Sequence, residues 1–115
     1  MKVFYYNSET AEEIPSEHPV EMSLAEASRI FSSLVRAESF LGILLSEQNV
    51  LQIYLESGGD THLEVLDESK RETLSATVNT PIAEAAIEAA FSGLDVESEL
   101  GMFFLKWRRA NFPET

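Results

Sequence analysis

The sequence predicts an α+β domain: one mostly antiparallel sheet, element order β-α-β-β-β-β-α-β, with two helices packed on one face. Two observations carry this. Residues 23–36 and 82–92 repeat apolar side chains at helical spacing, while residues 40–46, 50–56, 61–67 and 72–78 are short β-rich runs joined by turn residues. At 115 residues the chain fits a single domain spanning 1–115.

Residues 2–6, Lys-Val-Phe-Tyr-Tyr, read as the first strand. Residues 7–22 hold Pro15, Pro19 and five glutamates, and read as a long surface loop with at most one helical turn. Ser23 and Glu26 form a capping-box pattern that starts a helix running to about Arg36. Leu24, Ala27, Phe31, Leu34 and Val35 form its apolar stripe.

The run 40–46 is almost continuously apolar, as an interior strand requires. Ser57-Gly58-Gly59-Asp60 is a hairpin signal, because glycine tolerates positive φ. Residues 67–71 form a charged turn. Short loops between the four runs predict an antiparallel meander. Alternation then assigns Leu51, Ile53, Leu55, Leu63, Val65, Leu74, Ala76 and Val78 to the core. It assigns Gln52, Tyr54, Glu56, His62, Glu64, Thr73, Ser75 and Thr77 to the opposite, polar face.

Thr80 suits the N-cap of the second helix and Pro81 its first position, with Gly93 as its stop. Its many alanines allow close approach to a sheet. Residues 94–100 read as acidic and irregular. Residues 102–108 read as a last strand with Phe103, Leu105 and Trp107 on one face, and 109–115 as a loose tail.

Twenty acids against eight Lys and Arg give a net charge of −12. Such a chain is repelled by nucleic-acid phosphates and anionic lipid and attracts basic proteins. Residues 1–68 carry 13 acids and 3 Lys or Arg, so the negative charge is concentrated there. Without cysteine there is no disulfide, thiolate metal site or cysteine nucleophile. No run approaches a membrane span or a signal peptide, and a cytoplasmic protein is expected.

His18 and His62 are too few for a zinc site, so no metal and no cofactor are expected. His62 shares a strand face with Glu64, which a proton shuttle would use and a solvated sheet face explains more simply. No nucleophile elbow, phosphate loop or dinucleotide fingerprint is present, so no catalytic residue is assigned and no enzyme is expected. Lys106-Trp107-Arg108-Arg109 is a strand end rather than a nucleic-acid patch at this net charge. The candidate contact face is Gln52, Tyr54, Glu56, Asp60, His62, Glu64, Asp67 and Glu68, an aromatic anchor with an acidic rim. A basic protein is the expected partner. The alternatives are an adaptor that homodimerises through its sheet and a small-ligand domain with a pocket between Phe104, Trp107 and the helices.

Residues 40–107 carry a family likeness. Its parts are Val50-Leu51-Gln52-Ile53-Tyr54, then Thr80-Pro81-Ile82-Ala83-Glu84-Ala85-Ala86 leading to Ala89-Ala90-Phe91, and a closing Leu105-Lys106-Trp107. In these the chain resembles immunity proteins of bacterial polymorphic-toxin systems, in particular those paired with deaminase toxins. The resemblance implies a cytosolic inhibitor that occludes a toxin's active site. It carries over no individual contact residue.

Overall fold

A computed structural model of the chain describes residues 1–112. The elements run β1 (Lys2–Tyr6), β2 (Glu13–Ile14), β3 (Val20–Glu21), α1 (Leu24–Ser33), β4 (Phe40–Leu44), β5 (Asn49–Leu55), β6 (Thr61–Asp67) and β7 (Glu72–Val78). There follow α2 (Thr80–Phe91), α3 (Val96–Glu99), a 3-10 turn (Leu100–Phe103) and β8 (Arg108–Asn111). The strands form one antiparallel sheet in the order β2-β1-β4-β5-β6-β7-β8, with β3 also on β1. The α+β class expected from the sequence is the one observed.

The expected meander is present, and its register confirms the alternation. Leu51 pairs with Val65 and Val65 with Leu74, while Ile53 pairs with Leu63 and Leu63 with Ala76. Directly paired residues share a face. Leu41, Ile43, Leu51, Ile53 and Leu63 are fully buried with Ala83, Ala86 and Ile87 of α2 and Ala27 and Phe31 of α1. Both helices therefore cover one face of the sheet, and the other face is left open.

Ser23 accepts from the Glu26 N–H at 3.1 Å and Glu26 accepts from the Ser23 N–H at 3.2 Å, so the predicted capping box forms. The helix ends at Ser33, earlier than expected, and Val35 and Leu24 stand at the surface rather than in the stripe. For α2 the N-cap is Asn79, not Thr80: Asn79 Oδ1 accepts from the Ile82 N–H at 3.0 Å. Asparagine outcompetes threonine for this role.

Residues 7–22 differ from the expected loop. Both β2 and β3 pair with the outer side of β1. Asn7 Oδ1 accepts from the Glu9 N–H at 3.0 Å, and the Asn7 N–H donates to the Glu12 carbonyl at 2.9 Å. Ser8 donates its hydroxyl to the Ala37 carbonyl at 2.7 Å, and its N–H to the fully buried Ser39 hydroxyl at 3.0 Å. The polar residues that looked like loop material are spent on local bonds at Asn7 and on long-range bonds from Ser8 to residues 37 and 39.

The closing strand lies six residues later than expected. Residues 96–99 and 100–103 coil into α3, capped by Asp95, and the 3-10 turn. Leu100 is buried, whereas Phe104 is 90% exposed at φ 51° and ψ 45°. Phe104, expected to wall a small-ligand pocket with Trp107 and the helices, thus stands at the surface. Arg109 and Ala110, assigned to the tail, belong to β8, and Arg109 pairs with Glu72 of β7 and with Glu97 of α3, the latter at 3.0 Å. Residues 113–115 of the expected tail lie outside the described residues.

Phe104 sets up a clear expectation. A left-handed backbone costs a non-glycine residue about 1–2 kcal/mol, and this side chain returns little burial. Phe104→Gly should therefore raise stability by about 1 kcal/mol, read as a higher urea midpoint at unchanged m-value.

Candidate functional site

The open face of the sheet is built from the residues that alternation points away from the helices. One cross-strand row reads Tyr6, Phe40, Tyr54, His62, Thr77, each residue the direct partner of the next. The adjacent row reads Phe4, Gly42, Gln52, Glu64, Ser75, Arg108. Four consecutive strands thus place four rings side by side.

The rings group in two pairs. Tyr6 and Phe40 lie 6.1 Å apart between centroids, tilted by 37°. Tyr54 and His62 stack at 5.4 Å and 13°. Behind the first pair, Phe4 meets Phe40 edge-on at 6.2 Å. The Phe4 ring lies over Gly42: a β-carbon there would come within 2.1 Å of Phe4 Cζ. Glycine lets this ring lie flat on the sheet, so Phe4 is only 4% exposed on a face that no helix covers.

A groove of about 400 Å³ opens beside the row, lined by Phe40, Tyr54, Gln52, Leu55, Glu38, Glu56 and Ser57. Phe40 comes from one ring pair and Tyr54 from the other. Glu38 is held at φ 73° by its N–H donating to the Leu55 carbonyl at 2.8 Å.

Among the predicted contact residues, Gln52, Tyr54, His62 and Glu64 stand on this face. Glu56 joins them, its Oε2 lying 3.1 Å from His62 Nε2. His62 thus meets Glu56, its diagonal neighbour across the hairpin on the same face, while Glu64 shares that face two residues along the strand. Asp60 is exposed in the same hairpin turn, and its carbonyl accepts from the Glu56 N–H at 2.9 Å.

Two candidates lie elsewhere. Asp67 ends β6 opposite Asn49, on the helix side of the sheet, where it accepts from the Lys70 N–H at 3.2 Å and from the Ser69 hydroxyl. Those bonds, the Ser69 hydroxyl first, hold its carboxyl below the usual range. Asp67 shares its side with Leu63 and Val65, so period two places it there once β6 includes it. Glu68 follows in the turn, its N–H donating to the Gln48 carbonyl at 2.8 Å. The length of β6, about 20 Å, separates both from Asp60. The compact site is therefore Gln52, Tyr54, Glu56, Asp60, His62 and Glu64, joined by Glu38, Phe40 and Tyr6, which the sequence reading did not select.

Electrostatically the face is negative. Partial burial raises the Tyr54 hydroxyl above its ordinary range, and the charges of Glu64 and Glu56 raise it further. Partial burial also raises Glu64, while His62 opposes it. The sign of the consequence is fixed. Where the folded carboxyl titrates above the unfolded one, the native state binds more protons, so stability falls as pH rises through that window. Glu64→Gln should therefore raise the melting temperature at pH 7 and leave it nearly unchanged at pH 4.

On the helix side a second cavity of about 350 Å³ is lined by Asp67, Glu72, Asp95, Glu97, Lys70 and Arg109 among others. Its central cation, Arg109, is already satisfied by Glu72 and Glu97, which marks the cluster as a clamp on β8. Among the described residues, no group of His, Cys, Asp and Glu side chains is arranged to hold a metal ion, and no helix is long and apolar enough to cross a membrane. No family model matches the chain, and neither a curated protein nor a solved structure matches it.

Proposed function

We propose that this chain is a non-catalytic binding domain that docks a basic protein on the open face of its sheet. The observation that carries the reading is the aromatic row Tyr6, Phe40, Tyr54 and His62 bordered by Glu38, Glu56 and Glu64 on a face no helix covers. Aromatic side chains supply rigid contact area, and a carboxylate rim steers a cationic partner in and disfavours acidic ones. A net charge of −12 sends the long-range field the same way. The likeness to immunity proteins gives the partner a specific form: a cytosolic toxin whose nucleic-acid cleft is basic and is blocked by this acidic face.

The test is affinity capture with the immobilised chain, then titration of the purified captured protein against two variants. Glu56→Lys with Glu64→Lys is expected to weaken binding by at least about tenfold at low salt. The same two reversals at Glu84 and Glu88, exposed on α2, are expected to change it little. Equal loss from both pairs would leave only non-specific charge attraction and would sink the reading.

One feature favours a second reading. β8 is a bare edge strand, exposed along its length, and could pair with a second copy. Light scattering decides this: a concentration-dependent dimer lost on Asn111→Pro, whose N–H faces away from β7, would support it, and a monomer at all concentrations would end it.

A further inference from the structure

The groove between the two ring pairs has its own chemistry. Its floor and walls include the rings of Phe40 and Tyr54, and its polar members are Glu38, Glu56 and Gln52. Glu38 and Glu56 supply two carboxylates and Gln52 a further amide oxygen, so acceptors predominate. The groove is lined by no Lys or Arg that would neutralise them. Its volume, about 400 Å³, suits one long side chain rather than a strand or a helix. A flat, weakly hydrated cation meets all three features at once: it stacks on a ring, donates in its own plane to carboxylates, and sheds its water cheaply.

We propose that this groove is an arginine-binding subsite, in which the guanidinium of one partner arginine stacks on Tyr54 and Phe40 and donates to the carboxylates of Glu38 and Glu56. The inference rests on the open-face reading and sharpens it by naming the side chain that anchors the partner. Tyr54 is pre-organised for the role. Its ring is stacked on His62, and His62 is in turn fixed by Glu56, so the wall is set before the cation arrives. Glu38 is the second prepared element. It holds a left-handed backbone that glycine would hold with less strain, and glycine would carry no carboxylate.

The probe is a fluorescein-labelled hexapeptide, Gly-Ser-Arg-Gly-Arg-Ser, beside versions with both arginines replaced by lysine or by citrulline, the uncharged isostere. Anisotropy at low salt is expected to rank arginine above lysine by roughly three- to tenfold, with citrulline not binding measurably. Tyr54→Leu is expected to weaken the arginine peptide roughly five- to tenfold and to erase its advantage over lysine. Glu38→Gln is expected to weaken it severalfold, and Glu84→Gln to leave it unchanged. Amide shifts in a titration should centre on residues 38–40 and 52–57.

Equal binding of the arginine and lysine peptides, or equal losses from Glu38→Gln and Glu84→Gln, would overturn the subsite. Its failure is separable from that of the docking reading. If a captured protein still loses affinity with Glu56→Lys and Glu64→Lys but is indifferent to Tyr54→Leu, the face stands and the arginine groove falls. If the captured protein is indifferent to both, face and groove fall together.

Discussion

Ile53→Ala is expected to destabilise the domain by about 2–5 kcal/mol, enough to remove much of the stability of a chain this size. Ile53 is fully buried in β5, between its direct partners Leu41 of β4 and Leu63 of β6, which are fully buried too. The substitution removes three carbons from the middle strand of the sheet, on the face that α1 and α2 cover. Paired strands fix the backbone on both sides, so the walls can relax only through the helices and part of the cavity persists. Urea unfolding measures the loss. Val35→Ala is the matched control: Val35 is 68% exposed and its truncation should fall within about 0.5 kcal/mol of neutral. Similar costs at the two positions would mean that the assigned core is wrong.

Gly42→Ala carries the second large effect, about 1–3 kcal/mol, for the opposite reason. The new methyl would arrive 2.1 Å from Phe4 Cζ and 2.4 Å from Phe4 Cε2. Neither strand can retreat, because Gly42 pairs with Phe4 on one side and with Gln52 on the other. The ring must therefore swing off the sheet and lose its burial, and full exposure of a phenylalanine costs about 1.5–3 kcal/mol. The mechanism predicts a coupling. In a Phe4→Ala background there is no ring to displace, and Gly42→Ala should be neutral or slightly stabilising, since alanine is the better strand residue. A double-mutant cycle from urea melts gives the coupling directly, and additive costs would show that the clash does not operate.

Where local pattern and tertiary context agreed, the fold was legible. Strict alternation from Leu51 to Val78 gave the two faces of the meander because one face is buried and a one-residue slip would invert it. Ser23 and Glu26 announced α1 through backbone chemistry that involves nothing distant. The misplacements have physical causes as well. Residues 102–107, with Phe103, Phe104 and Trp107, have strand propensity, yet the chain turns there to bring Arg109 between Glu72 and Glu97. A contact spanning 37 positions leaves no local trace.

Six of the nine candidate-site residues were legible. Gln52, Tyr54, Glu56, His62 and Glu64 followed from alternation within the meander, and Asp60 from its hairpin turn. Tyr6 did not, because it enters the row only through the pairing of β1 with β4, which are far apart in sequence; Phe40 reaches Tyr54 through the β4–β5 hairpin, but its almost continuously apolar run read as an interior strand without an open face. A signal was present: Phe4 and Tyr6 share one parity in β1, and Gly42 interrupts the apolar run of β4 at the position facing Phe4. A glycine inside a strand marks a close approach, and here it marks the aromatic end of the open face.

The strand order also sets a timetable for assembly. β4 to β7 are hairpin neighbours whose contacts close short loops, whereas β1 must find β4 across everything between Tyr6 and Phe40. Loop closure is slower and costlier for distant segments, so β1, like β8, is expected to dock after the hairpins of the meander have formed. Docking β1 is also the step that creates the Tyr6–Phe40 pair and seats Phe4 on Gly42. The open face is thus complete only once β1 is paired with β4, and its aromatic end is the part of that face that depends on a long-range contact.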